Sequence, residues 1–308
     1  MTHEFSGREG TDPTKPAVQR RLEFIDFRLL WSGRINRKDL ADVFRLSSQQ
    51  ASADIAAYEQ RARGNLRYDN ALKTYVRTET FKPLFVGDYT DRYLLQLVAV
   101  RSGYMRKEDT WFEALPPYEI ATLKRRPIDT TNVQRVLEAI RNTSEIEIEY
   151  SSINTAEKKR RWIAPHALGY GAGRWHVRAC SLEHNDFRDF NINRIGGVVA
   201  ERKTKIDPNL DFEWHHSIDL VIVPNPKLDE ETTHAVEEEY NMLDGRLVQN
   251  ARLSLVFYLM SEHNLDVKVG LLDPKKQQLV LSNREEVETE RRIARKMSSD
   301  ALGRLLSQ

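Results

Sequence analysis

From residue 17 onward the chain carries apolar side chains at helical spacing. Leu22, Ile25, Leu29 and Leu30, with Phe24 and Phe27 between them, predict a helix that reaches Trp31 and stops at Ser32-Gly33. Leu40, Val43 and Phe44 share one face of a short second helix, with Asn36 as its expected N-cap. Ser47-Ser48-Gln49-Gln50 fits an S-x-x-Q capping box and opens a third helix, with Ala51, Ile55 and Tyr58 facing inward. Residues 64–76 read as two strand-like runs about an Asp69-Asn70 turn. Helix, helix, helix and hairpin in that order predict a winged helix-turn-helix, whose third helix offers a polar start to DNA. Hydroxyl and amide side chains suit base edges, and cationic ones suit phosphates. The expected DNA contacts are therefore Arg45, Ser47, Ser48, Gln49, Gln50 and Ser52 at the third helix, and Arg67, Tyr68 and Lys73 on the hairpin. A plain helical bundle with solvated faces would share the periodicity, but not the order of elements.

Residues 81–130 read as a connector or a dimer-forming segment: a helix over 91–101, then breaks at Pro116-Pro117 and Pro127. A helix over 131–141 follows, and then five strand-like runs at 145–150, 160–164, 174–180, 187–195 and 198–203. Gly169, Gly171, Gly173, Gly196 and Gly197 mark the breaks, and the pattern argues for a small β-barrel. In the third run Trp175, Val177 and Ala179 alternate with Arg174, His176 and Arg178. That alternation leaves one face packed and one available, with an imidazole and two guanidiniums on it. The available face is either an anion or nucleic-acid pocket or a solvated surface. The 187–195 run alternates imperfectly, since Arg194 shares parity with Phe190 and Ile192; either a bulge re-aims it or Arg194 is a structural charge under the barrel. Beyond 207 come a strand at 218–224, an acidic helix at 229–242, a helix or strand at 251–262, a strand at 278–281 and a charged helix or tail at 285–306.

Charge sharpens this division. Residues 1–80 hold 14 Lys/Arg against 11 Asp/Glu, residues 81–205 hold 21 against 16, and residues 206–308 hold 12 against 19. Segment charges of +3, +5 and −7 hide inside a net +1, and suit DNA contact at the front with protein contact at the back. Hydrophobic and charged fractions of 40% and 30% describe an ordinary globular chain without a membrane-spanning run. The start lacks a signal peptide's pattern, and a single Cys180 fits a reducing cytoplasm. Phosphate-loop, dinucleotide and nucleophile-elbow motifs are missing. No C-x-x-C or H-E-x-x-H spacing occurs, and His215-His216 would point to opposite faces of a strand, so neither a metal nor another cofactor is expected.

Trp175-His176-Val177 resembles the Trp-Tyr-Leu signature of WYL-domain proteins, with His where Tyr is usual. With Pro165-His166-Ala167-Leu168, Arg174 to Ala179 and Phe187-Arg188-Asp189-Phe190, it is similar to the BrxR and CapW regulators of BREX and CBASS phage-defence islands. The resemblance covers nearly the whole chain. Residues 1–16, with Gly7, Gly10, Pro13, Pro16 and little apolar content, read as a mobile leader. With the resemblance, the rest is expected as an α+β multidomain protein: a winged helix-turn-helix at 17–80, a helical connector at 81–130, an Sm-like, SH3-type WYL barrel at 131–206 and a mixed α/β dimerisation extension at 207–308. Implied partners are a double-stranded operator with an inverted repeat, a second copy of the chain and a nucleotide or nucleic-acid effector, with no membrane. The comparison adds Ser152, His166, Arg188 and Arg194 to the ligand set of Arg174, His176 and Arg178. If His176 is charged in the complex, effector affinity should fall as pH rises past about 6.5. A cytoplasmic, non-enzymatic repressor is the expected function. A nucleic-acid-processing enzyme finds no catalytic constellation here, and an accessory or adaptor protein of a defence system is the remaining alternative.

Overall fold

The computed structural model describes residues 16–87, 90–123, 125–153 and 158–307. Except for Pro16, the expected leader lies outside the described residues. The chain divides into two compact units, one ending at Leu123 and the other running from Lys124 to Gln308.

In the first unit, α1 (Pro16–Ser32) ends where Gly33 takes a left-handed φ of +72°. A two-residue strand, β1 (Arg34–Ile35), precedes α2 (Arg37–Phe44). Asn36 and Asp39 close a reciprocal capping box at the start of α2. Ser47 caps α3 (Ser48–Arg61) by accepting from the Gln50 N–H at 3.1 Å. The wing is β2 (Leu66–Asp69) against β3 (Thr74–Arg77), and β1 joins it to give an antiparallel sheet of order β1-β3-β2. Leu22, Ile25, Leu29, Ile35, Leu40, Ala51, Ile55 and Tyr58 form the core between helices and wing.

Seven residues of α1, Leu22 and the unbroken run from Phe24 to Leu29, are buried and cover every side of the helix. The reason is that the segment expected as a connector packs on the outer face of α1. Helix α4 (Thr90–Arg101) stacks Tyr93 on Trp31 at 4.1 Å, and Phe27 meets Leu97 and Phe112. Asp26, fully buried in α1, clasps the chain between them. Its Oδ2 accepts from the backbone N–H groups of Leu84, Phe85 and Val86 at 2.7, 2.6 and 3.0 Å, while Oδ1 accepts from the Tyr58 hydroxyl at 2.5 Å.

The second unit opens with α5 (Thr130–Asn142), capped by Asp129. Five strands follow: β4 (Ser144–Ser151), β5 (Lys158–Gly171), β6 (Arg174–Ser181), β7 (Asp186–Asn191) and β8 (Ile195–Lys203). They form an open antiparallel sheet of order β7-β6-β5-β4-β8. The expected Sm-like barrel is thus not found: β7 and β8 are opposite edges, with no pairing between them among the described residues. A 3-10 turn at Ile192–Arg194 interrupts the run expected over 187–195 and releases β8 to cross to the far edge beside β4. The same turn explains the failed alternation around Arg194. Strand β5 continues through Gly169 to Gly171, where a break was expected, with a bulge between Pro165 and Ala167.

One face of this sheet packs on α5 through Val136, Ala139, Ile146, Ile148, Val177 and Phe190. The other face is covered by the chain beyond residue 207. There α6 (Phe212–His215) leads to β9 (Ser217–Pro224), α7 (Glu230–Glu239), β10 (Leu247–Arg252), α8 (Val256–Glu262), β11 (Leu279–Leu281) and α9 (Arg284–Leu306). A second sheet has the order β10-β9-β11. The acidic helix expected over 229–242 ends at Glu239, and the open 251–262 segment is the end of a strand followed by α8. His215 and His216 close α6 and do not lie in a strand. Among the described residues no helix is long and apolar enough to cross a membrane.

Candidate nucleic-acid and effector sites

The start of α3 is solvent-facing. Ser47, Ser48, Gln49 and Gln50 are exposed, Ser52 is half-buried, and Arg45 sits exposed at the left-handed C-cap of α2. These residues are not equivalent. Gln50 donates through Nε2 to Asp54 at 3.1 Å, so its amide does not close the expected capping box. Asp54 is buried and receives Arg21 of α1 in a bidentate pair at 2.7 and 3.1 Å, fixing α3 against α1. The Ser52 hydroxyl turns back to the Ser48 carbonyl at 2.9 Å. Gln49 forms no side-chain hydrogen bond among the described residues, and is the amide best placed to address a base edge.

On the wing, Arg67 lies 3.5 Å from Asp69, and Tyr68 is edge-on to Tyr75 at 5.0 Å. Asp69 accepts from the N–H groups of Leu72 and Ala71, building the turn. Those bonds, Leu72's first, hold its carboxyl below the usual carboxylate range. Lys73 follows with a left-handed φ of +52° and stands exposed at the base of the turn.

The expected effector face is more divided. On β6 the alternation places Arg174, His176 and Arg178 on one side, but that side is not open. His176 and Arg178 are only 5% and 3% exposed, while Trp175 on the opposite side is 47% exposed. Arg178 is held by carboxylates, and this corrects its expected role as a free anion clamp. Its Nε and Nη2 lie 2.7 and 2.9 Å from the two oxygens of Asp211, Nη2 is 3.1 Å from Glu213, and Nη1 is 3.4 Å from Asp189. His166, expected as a ligand contact, shares Asp211 Oδ2 at 2.9 Å. Burial opposes the ionised form of Asp211, but the His166 and Arg178 hydrogen bonds outweigh it and lower its pKa. Asp189 goes the other way: burial raises its pKa despite Arg178. Arg188 lies in the parity of Ala179, on the α5 side, and is paired with Asp186. Ser152 is half-buried just beyond the end of β4.

What remains is a tighter group around His176. Its ring stacks on Tyr258 of α8 at 4.4 Å and 27°, and its buried Nδ1 has no partner. Burial, followed by the charges of Arg174, Arg194 and Arg125, depresses its pKa to about 4. The imidazole is therefore neutral near pH 7 in the unliganded protein. Arg174 and Arg125 are exposed and Arg194 is half-buried. Arg125 donates to the Gly173 carbonyl, and Asn193 donates to the Arg126 carbonyl at 2.8 Å, which seats the 125–126 segment on this end of the sheet. Three guanidiniums about a neutral, unpartnered imidazole can clamp an anion and offer one specific hydrogen bond. Arg125, Tyr258, Asp211 and Glu213 were not anticipated from the sequence. The only local signal for Tyr258 lies in Gly169 and Gly171, as the close packing below explains.

Family models match three stretches of this chain: a BrxR transcriptional regulator winged helix-turn-helix domain at 17–99, a WYL domain at 131–200 and a BrxR C-terminal dimerization domain at 217–287. A DNA-binding transcriptional repressor CapW of Stenotrophomonas maltophilia is 34% identical over 90% of this chain and 93% of its own length. The chain belongs to the BrxR/CapW family of transcriptional regulators. Two further CapW repressors support the assignment. The protein of Pseudomonas aeruginosa is 34% identical over 91% of this chain and 93% of its own, and that of Escherichia coli (strain KTE188) is 31% identical over the same shares. In family terms, α3 and the wing belong to the winged-helix domain, and the His176 group to the WYL domain. Strands β9 and β10 with α8 fall in the dimerization domain, which supports a homodimer.

Proposed function

We propose that this protein is a homodimeric repressor that binds an inverted-repeat operator and releases it when a nucleotide or nucleic acid occupies the WYL domain. The observation that carries the DNA reading is the free, capped start of α3 beside a cationic wing, with Gln49 unengaged. Gln49 and Ser48 would address base edges, while Arg45, Arg67 and Lys73 would meet phosphates. Two such units related by a two-fold axis would read the two halves of the operator. The named relatives are repressors, which favours repression over activation. A phage-defence operon is the proposed target, on the resemblance to the BREX and CBASS regulators.

The effector site in this reading consists of Arg174, Arg194 and Arg125 for phosphate oxygens and His176 for a neutral hydrogen bond. His166 and Arg178 frame it from beneath. Footprinting of the region upstream of the protein's own operon tests the proposal, repeated with mononucleotides and short oligonucleotides. Symmetric protection of two half-sites, relieved by one class of these ligands, is the expected outcome. Protection that no nucleotide or oligonucleotide relieves would remove the effector part, and lack of any protected site would remove the whole reading.

A further inference from the structure

The glycines at 169 and 171 stand in no dinucleotide motif, yet they have a packing role. Both lie on the His176 side of the sheet, in register with His176 and Arg174. A Cβ at Gly171 would fall 2.5 Å from the Cβ of Tyr258, and one at Gly169 would fall 2.9 Å from Leu255 Cδ2. Real side chains do not approach that closely, so β5 must be bare here for α8 to lie against it. At the far end of α8, Glu262 accepts from the Ala172 N–H at 3.3 Å. A helix of the dimerization domain is thereby laid across the WYL sheet, with its Tyr258 ring on the His176 ring.

We propose that Tyr258 occupies the place of an effector nucleobase on His176, so that a base flanked by phosphate binds by displacing Tyr258 and with it α8. This rests on the effector-site reading given above. His176 Nδ1 is buried without a partner, so a ligand that satisfies it has to shift the groups that cover it. The stacked Tyr258 ring covers one face of that imidazole. Aromatic rings and bases stack interchangeably on a flat π-face, and the neighbouring Arg174, Arg194 and Arg125 suit the phosphate. Displacement has a direct route into the dimerization domain and its neighbours. The Tyr258 hydroxyl donates to Asp189 at 3.1 Å, Asp189 and Glu213 share Arg178, and Glu213 receives Arg295 of α9 at 2.9 Å.

The test uses the full-length protein with two fluorescent probes of equal phosphate count, hexathymidylate and its abasic counterpart, read by anisotropy. If Tyr258 blocks the base site, Tyr258→Ala binds hexathymidylate ~10-fold more tightly than wild type, because the cost of displacing the ring is gone. The abasic probe binds both proteins alike, and Tyr258→Phe, which keeps the ring, stays within about threefold of wild type. Tyr258→Leu serves as the second variant should the alanine protein fail to fold, with the same expected gain. Competition by thymidine monophosphate separates a free nucleotide from a strand: equal gain for both means the base alone is read, and gain for the strand only means that neighbouring phosphates are needed. Wild-type binding that Tyr258→Ala and Tyr258→Leu leave unchanged or weaken would overturn the displacement while leaving the effector site intact. Arg174→Ala tests that site separately, since retention of both probes there would overturn the effector reading itself.

Discussion

Arg178 on β6 and Asp211, the N-cap of α6, meet in a bidentate pair, with Nε 2.7 Å from Oδ2 and Nη2 2.9 Å from Oδ1. Both side chains are almost wholly buried, and the pair ties the WYL sheet to the chain that covers it. Arg178→Ala would remove the buried cation that Asp211 and Glu213 share, leaving them His166 and Arg295 as side-chain partners. A loss of about 3–5 kcal/mol is expected. Denaturant unfolding of wild type and variant measures it. An unchanged midpoint with lost effector response would return Arg178 to the ligand site.

Base reading and phosphate contact should separate on the winged helix. Gln49→Ala is expected to cost about 1–3 kcal/mol on the operator and little on random DNA. Lys73→Asn keeps a residue that tolerates the φ of +52° but removes the charge. It should weaken operator and random DNA alike and lower the slope of log K against log salt by about 1. Titrations on both DNAs at several salt concentrations distinguish the two effects, and equal losses from Gln49→Ala on both DNAs would end its base-reading role.

Acid sensitivity should trace in part to His176. Its pKa is depressed to about 4 in the folded protein, from an ordinary 6.5. Between those values the unfolded chain holds a proton that the folded chain does not, so stability rises with pH. That stability is fully present above about 6.5 and is lost progressively as pH falls from there toward 4. Chemical denaturation at pH 7 and pH 5 should show a smaller pH difference for His176→Gln than for wild type. Equal differences would mean that His176 titrates normally.

Close packing of α8 gives a prediction independent of any ligand. Gly171→Ala places a methyl where Tyr258 Cβ already sits, so overpacking by about 1–3 kcal/mol is expected. Hydrogen exchange should locate the loosening in α8 and the β5–β6 hairpin, and uniform protection would contradict it.

Asp26→Ala strips one acceptor from three backbone N–H groups and the Tyr58 hydroxyl. Each buried donor left unpaired costs about 1–3 kcal/mol, and that makes this the most damaging of the substitutions considered. Thermal unfolding followed by circular dichroism measures the loss, and a shift of only a degree or two would show that the 84–86 segment finds other partners.

The order of helices and wing, the caps at Asn36 and Ser47 and the stop at Gly33 are legible in the sequence, because each depends on residues within about four positions of one another. The family was legible as well, since its motifs are short and contiguous around Trp175. The fate of the β6 polar face was not. Alternation records that Arg174, His176 and Arg178 share a side, but whether that side is solvent or interior depends on α6, α8 and α9, which join the chain 30 to 120 residues later. The same holds for the sheet. Five strand-like runs fit a barrel or an open sheet equally, and only long-range pairing, with the turn at Ile192–Arg194 sending β8 to the far edge, decides between them. Local periodicity determined the elements and their faces. Tertiary structure decided which charged residues stay free to bind and which are held in place, because a guanidinium's partner is chosen by distance in space and not along the chain.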